Sequence, residues 1–143
     1  MARIELTLPK DFSFSTDLRV RISDINYGNH LGNDALLSLV HEARLQFLQS
    51  RGFSEMNIGG CGLILTDAVI VYKSQGFHGD LLTIFTVAGD VTKYGCDFFY
   101  KVIQKESGKE VARAKTGVVF FDYPRQKMVP VPTAFLDAFS LHE

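Results

Sequence analysis

The passage from helical to strand-like spacing of apolar residues midway along this chain constrains the fold more than any other feature. Leu36, Leu39, Val40, Ala43 and Phe47, with Leu37 and Leu48, recur at three- and four-residue intervals. This is the period of a helix with a wide apolar face. The spacing predicts a helix from Asp34 to about Ser50, with Asn33 as N-cap, Asp34 at the positive end of the dipole and Arg51-Gly52 as the stop. Beyond it the pattern is strand-like. Leu63–Tyr72 is nearly continuous in apolar residues, as for a strand buried on both faces. Leu81–Ala88 follows a Gly79-Asp80 turn, and Cys96–Lys105 and Glu110–Asp122 flank the hairpin signal Glu106-Ser107-Gly108-Lys109. Ahead of the helix, Thr16–Asp24 alternates as a strand, with Leu18, Val20 and Ile22 on one face. Pro130 and Pro132 precede a short amphipathic stretch, Thr133–Phe139. One segregated helix among several strands predicts an α+β fold with an antiparallel sheet.

The length, 143 residues, fits one domain over 1–143. With 15 basic and 16 acidic residues the net charge is −1, so no nucleic-acid footprint and no polybasic membrane anchor is expected. The longest apolar stretch is interrupted by Thr66 and Asp67 and is far below the ~20 residues of a spanning helix. The N-terminal residues lack an apolar signal core. Cys61 and Cys96 stand far from any CxxC spacing, as expected of reduced, buried thiols in a cytoplasmic protein. The four histidines lack metal-site spacing; no metal and no other cofactor is predicted. No GxGxxG, GxxxxGK[ST] or GxSxG motif occurs. The aromatics Phe98, Phe99, Tyr100, Phe120, Phe121 and Tyr123 read as core, not as a stacking surface for bases.

The chemistry-bearing residues gather in the loop Asp24-Ile25-Asn26-Tyr27-Gly28-Asn29-His30-Leu31-Gly32-Asn33. Continued strand alternation aims Asp24 and Asn26 at the apolar side, where desolvation makes a carboxylate chemically useful. The plainer reading is that both cap turns. His30 reads either as a catalytic group or as a structurally hydrogen-bonded one. Glu42 offers a second carboxylate from the helix, or a solvated helix face. His41 is expected to be a partly buried helix residue and His78 a turn residue.

Arg21-Ile22-Ser23-Asp24 through His30-Leu31-Gly32-Asn33, followed by His41-Glu42-Ala43-Arg44, resembles the 4-hydroxybenzoyl-CoA thioesterase-like branch of hotdog-fold acyl-CoA thioesterases. There the loop often reads D-x-D-x-x-G-H-x-N-N and the helix E-E-A-R. Tyr72 with Gly79-Asp80-Leu81-Leu82, and Gly108 through Ala114, extend the resemblance over nearly the whole chain. The resemblance implies a hotdog fold, a long central helix wrapped by a curved antiparallel β-sheet. It also implies a homodimer or homotetramer with acyl-thioester sites at subunit interfaces, where a carboxylate assists water and a helix N-terminus holds the oxyanion. Asp24, His30, Asn33 and Glu42-Ala43-Arg44 match the pattern. Asn26 replaces its second Asp, Asn29 stands where glycine precedes the histidine, and Gly32 stands where Asn is common.

The expected activity is hydrolysis of an acyl-CoA or acyl-carrier-protein thioester. Asp24, Asn26, His30 and Glu42 are the catalytic candidates. Tyr27, Gly28, Asn29, Leu31, Gly32, Asn33 and Lys93 are the substrate-binding candidates, with Arg113 and Lys115 as further cations for phosphate. Because an amide is no general base, two alternatives stand beside hydrolysis: a non-catalytic acyl-thioester binder, and an enoyl-CoA hydratase, since Asp24-x-Asn26 and His30 resemble the D-x-N-P-x-H loop of hotdog hydratases.

Overall fold

The computed structural model describes residues 3–141. Elements follow in the order β1 (Phe14–Arg19), α1 (Asn33–Gln49), β2 (Gly62–Tyr72), β3 (Leu81–Gly89), β4 (Gly95–Gln104), β5 (Glu110–Asp122), β6 (Lys127–Met128) and α2 (Thr133–Ala138). Every strand pairing is antiparallel, in the order β1-β3-β4-β5-β2, with β6 on the end of β5. The β4–β5 hairpin turns where the sequence places it, at Gly108 with φ 74°.

Helix α1 lies on one face of this sheet. It buries Leu36, Leu39, Val40, Ala43, Phe47 and Leu48 against the inward positions of β3 to β5, among them Leu82, Ile84, Phe98, Tyr100, Val102 and Phe120. Each of the large apolar side chains contributes about 1.5–3 kcal/mol on full burial. The apolar face of α2 closes the end of this core, with Phe135 wholly buried and packed against Phe98, Phe120 and Phe139.

Several expectations are corrected. β1 ends at Arg19, and the chain then tightens into a 3-10 turn over Ile22–Asp24, so strand parity does not reach Asp24 and Ile22 is exposed. The N-cap of α1 is Gly32, not Asn33, and the helix ends one residue early at Gln49. β2 is not buried on both faces: it is the last strand on its side of the sheet, and residues 65–68 are exposed. Its apolar run reflects an unpaired edge that sheet proteins ordinarily cover. His41 is exposed rather than partly buried, at 57% of its side chain. Phe98, Phe99, Tyr100 and Phe120 are core, while Phe121 and Tyr123 are half-buried. Both cysteines are free and buried. Among the described residues no helix is long and apolar enough to cross a membrane.

Candidate active site

Three chain segments are stitched together at the start of α1. The end of β1 is tied to the 73–80 loop, with Val20 N–H donating to Asp80 and Gly79 N–H donating to Val20, both at 2.9 Å. The 25–31 loop closes on itself as a short antiparallel bridge between Ile25 and Leu31. Leu31 N–H then donates to the Gly76 carbonyl at 2.7 Å, and Gly32 N–H donates to the Asp24 carbonyl at 2.9 Å. These bonds fix where the helix begins.

Asp24 is 5% exposed and spans back to Arg21, accepting from its backbone N–H at 2.8 Å and from its guanidinium at 3.2 and 3.3 Å. Burial alone pushes this carboxyl upward, but the hydrogen bonds and charge of Arg21 outweigh it and hold the group below the ordinary carboxylate range. Both oxygens are occupied in capping the turn. Asn26 folds its Oδ1 onto the Gly28 N–H at 2.9 Å, an Asx turn, and its backbone accepts from Asn29, which takes a left-handed conformation at φ 65°.

The loop brings Asn26 and His30 to one point. A Cβ on Gly28 would stand 3.2 Å from both Asn26 Oδ1 and His30 Nε2, so only glycine leaves both side chains in place. His30 Nδ1 faces the Leu31 carbonyl at 3.4 Å. A carbonyl only accepts, so this contact puts the proton on Nδ1 and the lone pair on Nε2. Gly32 stands beside Asn26, and as N-cap it offers no side chain to the first turn of α1. The N–H groups at the start of α1 therefore carry no side-chain cap, and such groups attract developing negative charge.

A cleft of about 260 Å³ opens here, lined by His30, Leu31, Gly32, Asn33 and Leu36 on one side and by Tyr72, Lys73, Ser74, Gln75, Gly76 and Val111 on the other. The Tyr72 hydroxyl donates to the Asn33 carbonyl at 3.3 Å, and its phenol is pushed up by burial and by the Asp34 charge. The 72–76 wall was not singled out from the sequence, although Tyr72 lay within the family-like pattern. Lys73 brings a cation to the cleft that no local motif announces.

Other candidates fall elsewhere. Tyr27 at the loop tip is fully exposed, and Asn29 is exposed beside it. Glu42 lies two turns along α1, where Gln46 donates to it at 2.7 Å, and its charge is felt by Arg21 rather than facing the cleft. Lys93 lies between β3 and β4 against the ring of Tyr94, at the opposite end of the sheet from the cleft. Arg113 is paired with Glu110 and Lys115 with Asp67, so neither is a spare cation. Among the described residues no cluster of three or more His, Cys, Asp or Glu is placed to hold a metal.

A long helix start presented to a cleft by an antiparallel sheet is the architecture of a hotdog protein. The sequence profile of the thioesterase-like superfamily matches residues 20–139, and the chain belongs to that superfamily. Among solved structures it is similar to a 1,4-dihydroxy-2-naphthoyl-CoA thioesterase from Synechocystis, with 26% identity, a TM-score of 0.82, and 89% of this chain and 95% of that one covered. A hypothetical protein of Aquifex aeolicus (23% identity, TM-score 0.80, 88% and 98% covered) and a DHNA-CoA thioesterase of Staphylococcus aureus (18%, 0.78, 88% and 87%) share the fold. Comparison with curated proteins gives no match.

Proposed function

We propose that this chain hydrolyses an acyl-CoA thioester at the start of α1. The carrying observation is the juxtaposition of a helix N-terminus without a side-chain cap and an imidazole on one cleft. Backbone N–H groups of Asn33, Asp34 and Ala35 receive the carbonyl oxygen, where preorganised donors stabilise the oxyanion of the tetrahedral intermediate. His30, with its lone pair on Nε2, and Asn26 order the reacting groups, while Asp24 holds the turn that aims them. Lys73 supplies the cation for the phosphate of the carrier. The thioesterases of similar structure support coenzyme A as that carrier. A pair or a pair of pairs joined at the exposed β2 edge is the assembly this reading takes, and the 4-hydroxybenzoyl-CoA-like branch is the place it takes within the superfamily.

The test is thiol release from a panel of aliphatic and aromatic acyl-CoAs by wild type, His30→Ala and Asn26→Asp. Turnover by wild type that falls at least tenfold in His30→Ala is the expected result. A wild type that binds a thioether analogue yet releases no thiol overturns hydrolysis, and in that case thiol release appearing in Asn26→Asp identifies an acyl-thioester binder. Equal turnover by wild type and His30→Ala removes the loop histidine from the site.

A further inference from the structure

Residues 3–13, ahead of β1, take no place in the sheet. Part of this segment crosses the outer face of the sheet, the one turned away from α1, as a strap tied at two points. Phe12 packs its ring on Phe85 of β3, with centroids 6.0 Å apart, and the Leu6 carbonyl accepts from Arg113 Nη1 of β5 at 2.9 Å. Between these ties a groove of about 400 Å³ runs under the strap, roofed by Leu8, Pro9 and Lys10 and floored by Phe85, Lys101 and Arg113. It shares no lining residue with the cleft at the start of α1.

The floor gathers positive charge. Lys101 stands directly opposite Arg113 in the β4–β5 register, and Phe85 opposite Lys101 in β3–β4, so the three form one row on the outer face. Like charges set opposite each other across two strands repel. Arg113 is relieved by Glu110, which accepts from its Nε and Nη2 at 2.8 and 2.9 Å. Lys101 is half-buried, and among the described residues neither it nor Lys10 on the strap forms an ion pair. Glu110 is held below the ordinary carboxylate range by Arg113 first, and the charges of Lys101 and Lys73 add to the effect. Lys73 lines the cleft, so a basic margin joins cleft and groove. From Val111 in the cleft wall it is about 7 Å along β5 to Arg113 and about 5 Å across to Lys101.

We infer that this groove binds a nucleotide phosphate, its base lying on Phe12 and Phe85 and its phosphate received by Lys10 and Lys101. A phosphate monoester carries nearly two charges at neutral pH and so matches two ammonium groups, where a carboxylate would leave one unmatched. Every base offers a flat face to an aromatic ring, and both phenylalanines are only half-buried. The volume is that of a small-molecule site and exceeds what a bare phosphate fills. The same chemistry reaches the groove from two sources, a free nucleotide and the nucleotide end of a carrier whose thioester occupies the cleft. Only the second source rests on the thioesterase reading above.

The experiment is calorimetric titration of the full chain with AMP, with adenosine and inorganic phosphate as controls. AMP is expected to bind about tenfold or more tightly than either control, since each control lacks one half of the recognition. Lys10→Gln and Lys101→Gln should each weaken AMP about tenfold, the loss of one charged contact, without lowering the melting midpoint. Kinetics then read the source. A Lys101→Gln variant whose KM rises for an acyl-CoA but not for the matching acyl-pantetheine, which has no nucleotide, assigns the site to the carrier. Unmoved KM values beside the same loss of AMP binding assign it to a free nucleotide. AMP that binds no more tightly than the controls, or binds both variants as tightly as wild type, overturns the site. A wild type that binds AMP yet releases no thiol from any thioester overturns the thioesterase reading and leaves the nucleotide site standing.

Discussion

Replacing Glu55 with Gln removes one charge and almost no volume, which makes it a clean probe of the polar chain beneath α1, running from Thr116 through Tyr100, Arg44 and Glu55 to His41. Arg44 would keep an oxygen acceptor at Nε and the Tyr100 hydroxyl at Nη1, but it would lose its counter-ion while remaining 3% exposed. A hydrogen bond to a charged partner contributes about 1.5–3 kcal/mol and a neutral one about 1. The difference is about 0.5–2 kcal/mol, and the exposed His41 contact adds less than about 1. The sum, about 2 kcal/mol, lowers the unfolding midpoint of a chain this size by roughly 6 °C. Burial pushes the Glu55 carboxyl up, yet bonds from Arg44 and His41 outweigh it, so the folded group lies below the ordinary value of 4.5. The charged form is therefore the one the fold favours. Its contribution is complete above the unfolded value and is lost as pH falls through the folded one. Thermal melts of wild type and Glu55→Gln should accordingly be about 6 °C apart at pH 7 and draw together as pH drops below 4.5. A gap under about 2 °C at pH 7, or one that persists unchanged into acid, refutes the charge-based account.

Two further substitutions probe the two ends of α1. Gly28→Ala places a methyl 3.2 Å from both Asn26 Oδ1 and His30 Nε2, so it should lower thiol release severalfold while leaving the melting midpoint within ~2 °C of wild type, Gly28 itself being exposed; acyl-CoA turnover beside a melt checks both. Phe135→Ala empties a fully buried position among Phe98, Phe120 and Phe139 and should cost about 3–5 kcal/mol in denaturant unfolding, with KM for a surviving folded fraction unchanged.

The helix and the β4–β5 hairpin were legible in the sequence because each is written locally, in a 3.6-residue period and in a glycine turn whose φ is positive in the fold. Strand order is not local. The apolar run of β2 has the same composition whether the strand is central or at an edge, so its exposed stretch at 65–68 could be found only once the sheet was assembled. Asp24 is buried as expected, but it is the 3-10 turn over Ile22–Asp24, not strand alternation, that turns it inward, and no local period announces that turn. Lys93 and the cleft belong to opposite ends of the same strands, a separation set by strand length and register. The chain from Thr116 through Arg44 to His41 joins residues from two strands, a loop and a helix, and no sequence period reports such a pairing.

The aromatic cluster around Phe135 also carries a consequence for how such a chain diversifies. Phe53, Phe98, Phe120 and Phe139 surround it at the C-terminal end of α1, with Phe47 stacked behind Phe139, whereas the cleft opens at the N-terminal end. The residues that secure the fold and the residues proposed to meet an acyl group are thus drawn from opposite poles of one helix. Exchanges in the 26–33 loop and the 72–76 wall draw little on the reserve held by the phenylalanines. A library confined to those two segments, sparing the buried Leu31 and Gly76, should therefore yield folded variants at high frequency and, on the proposed reading, sort them by acyl preference.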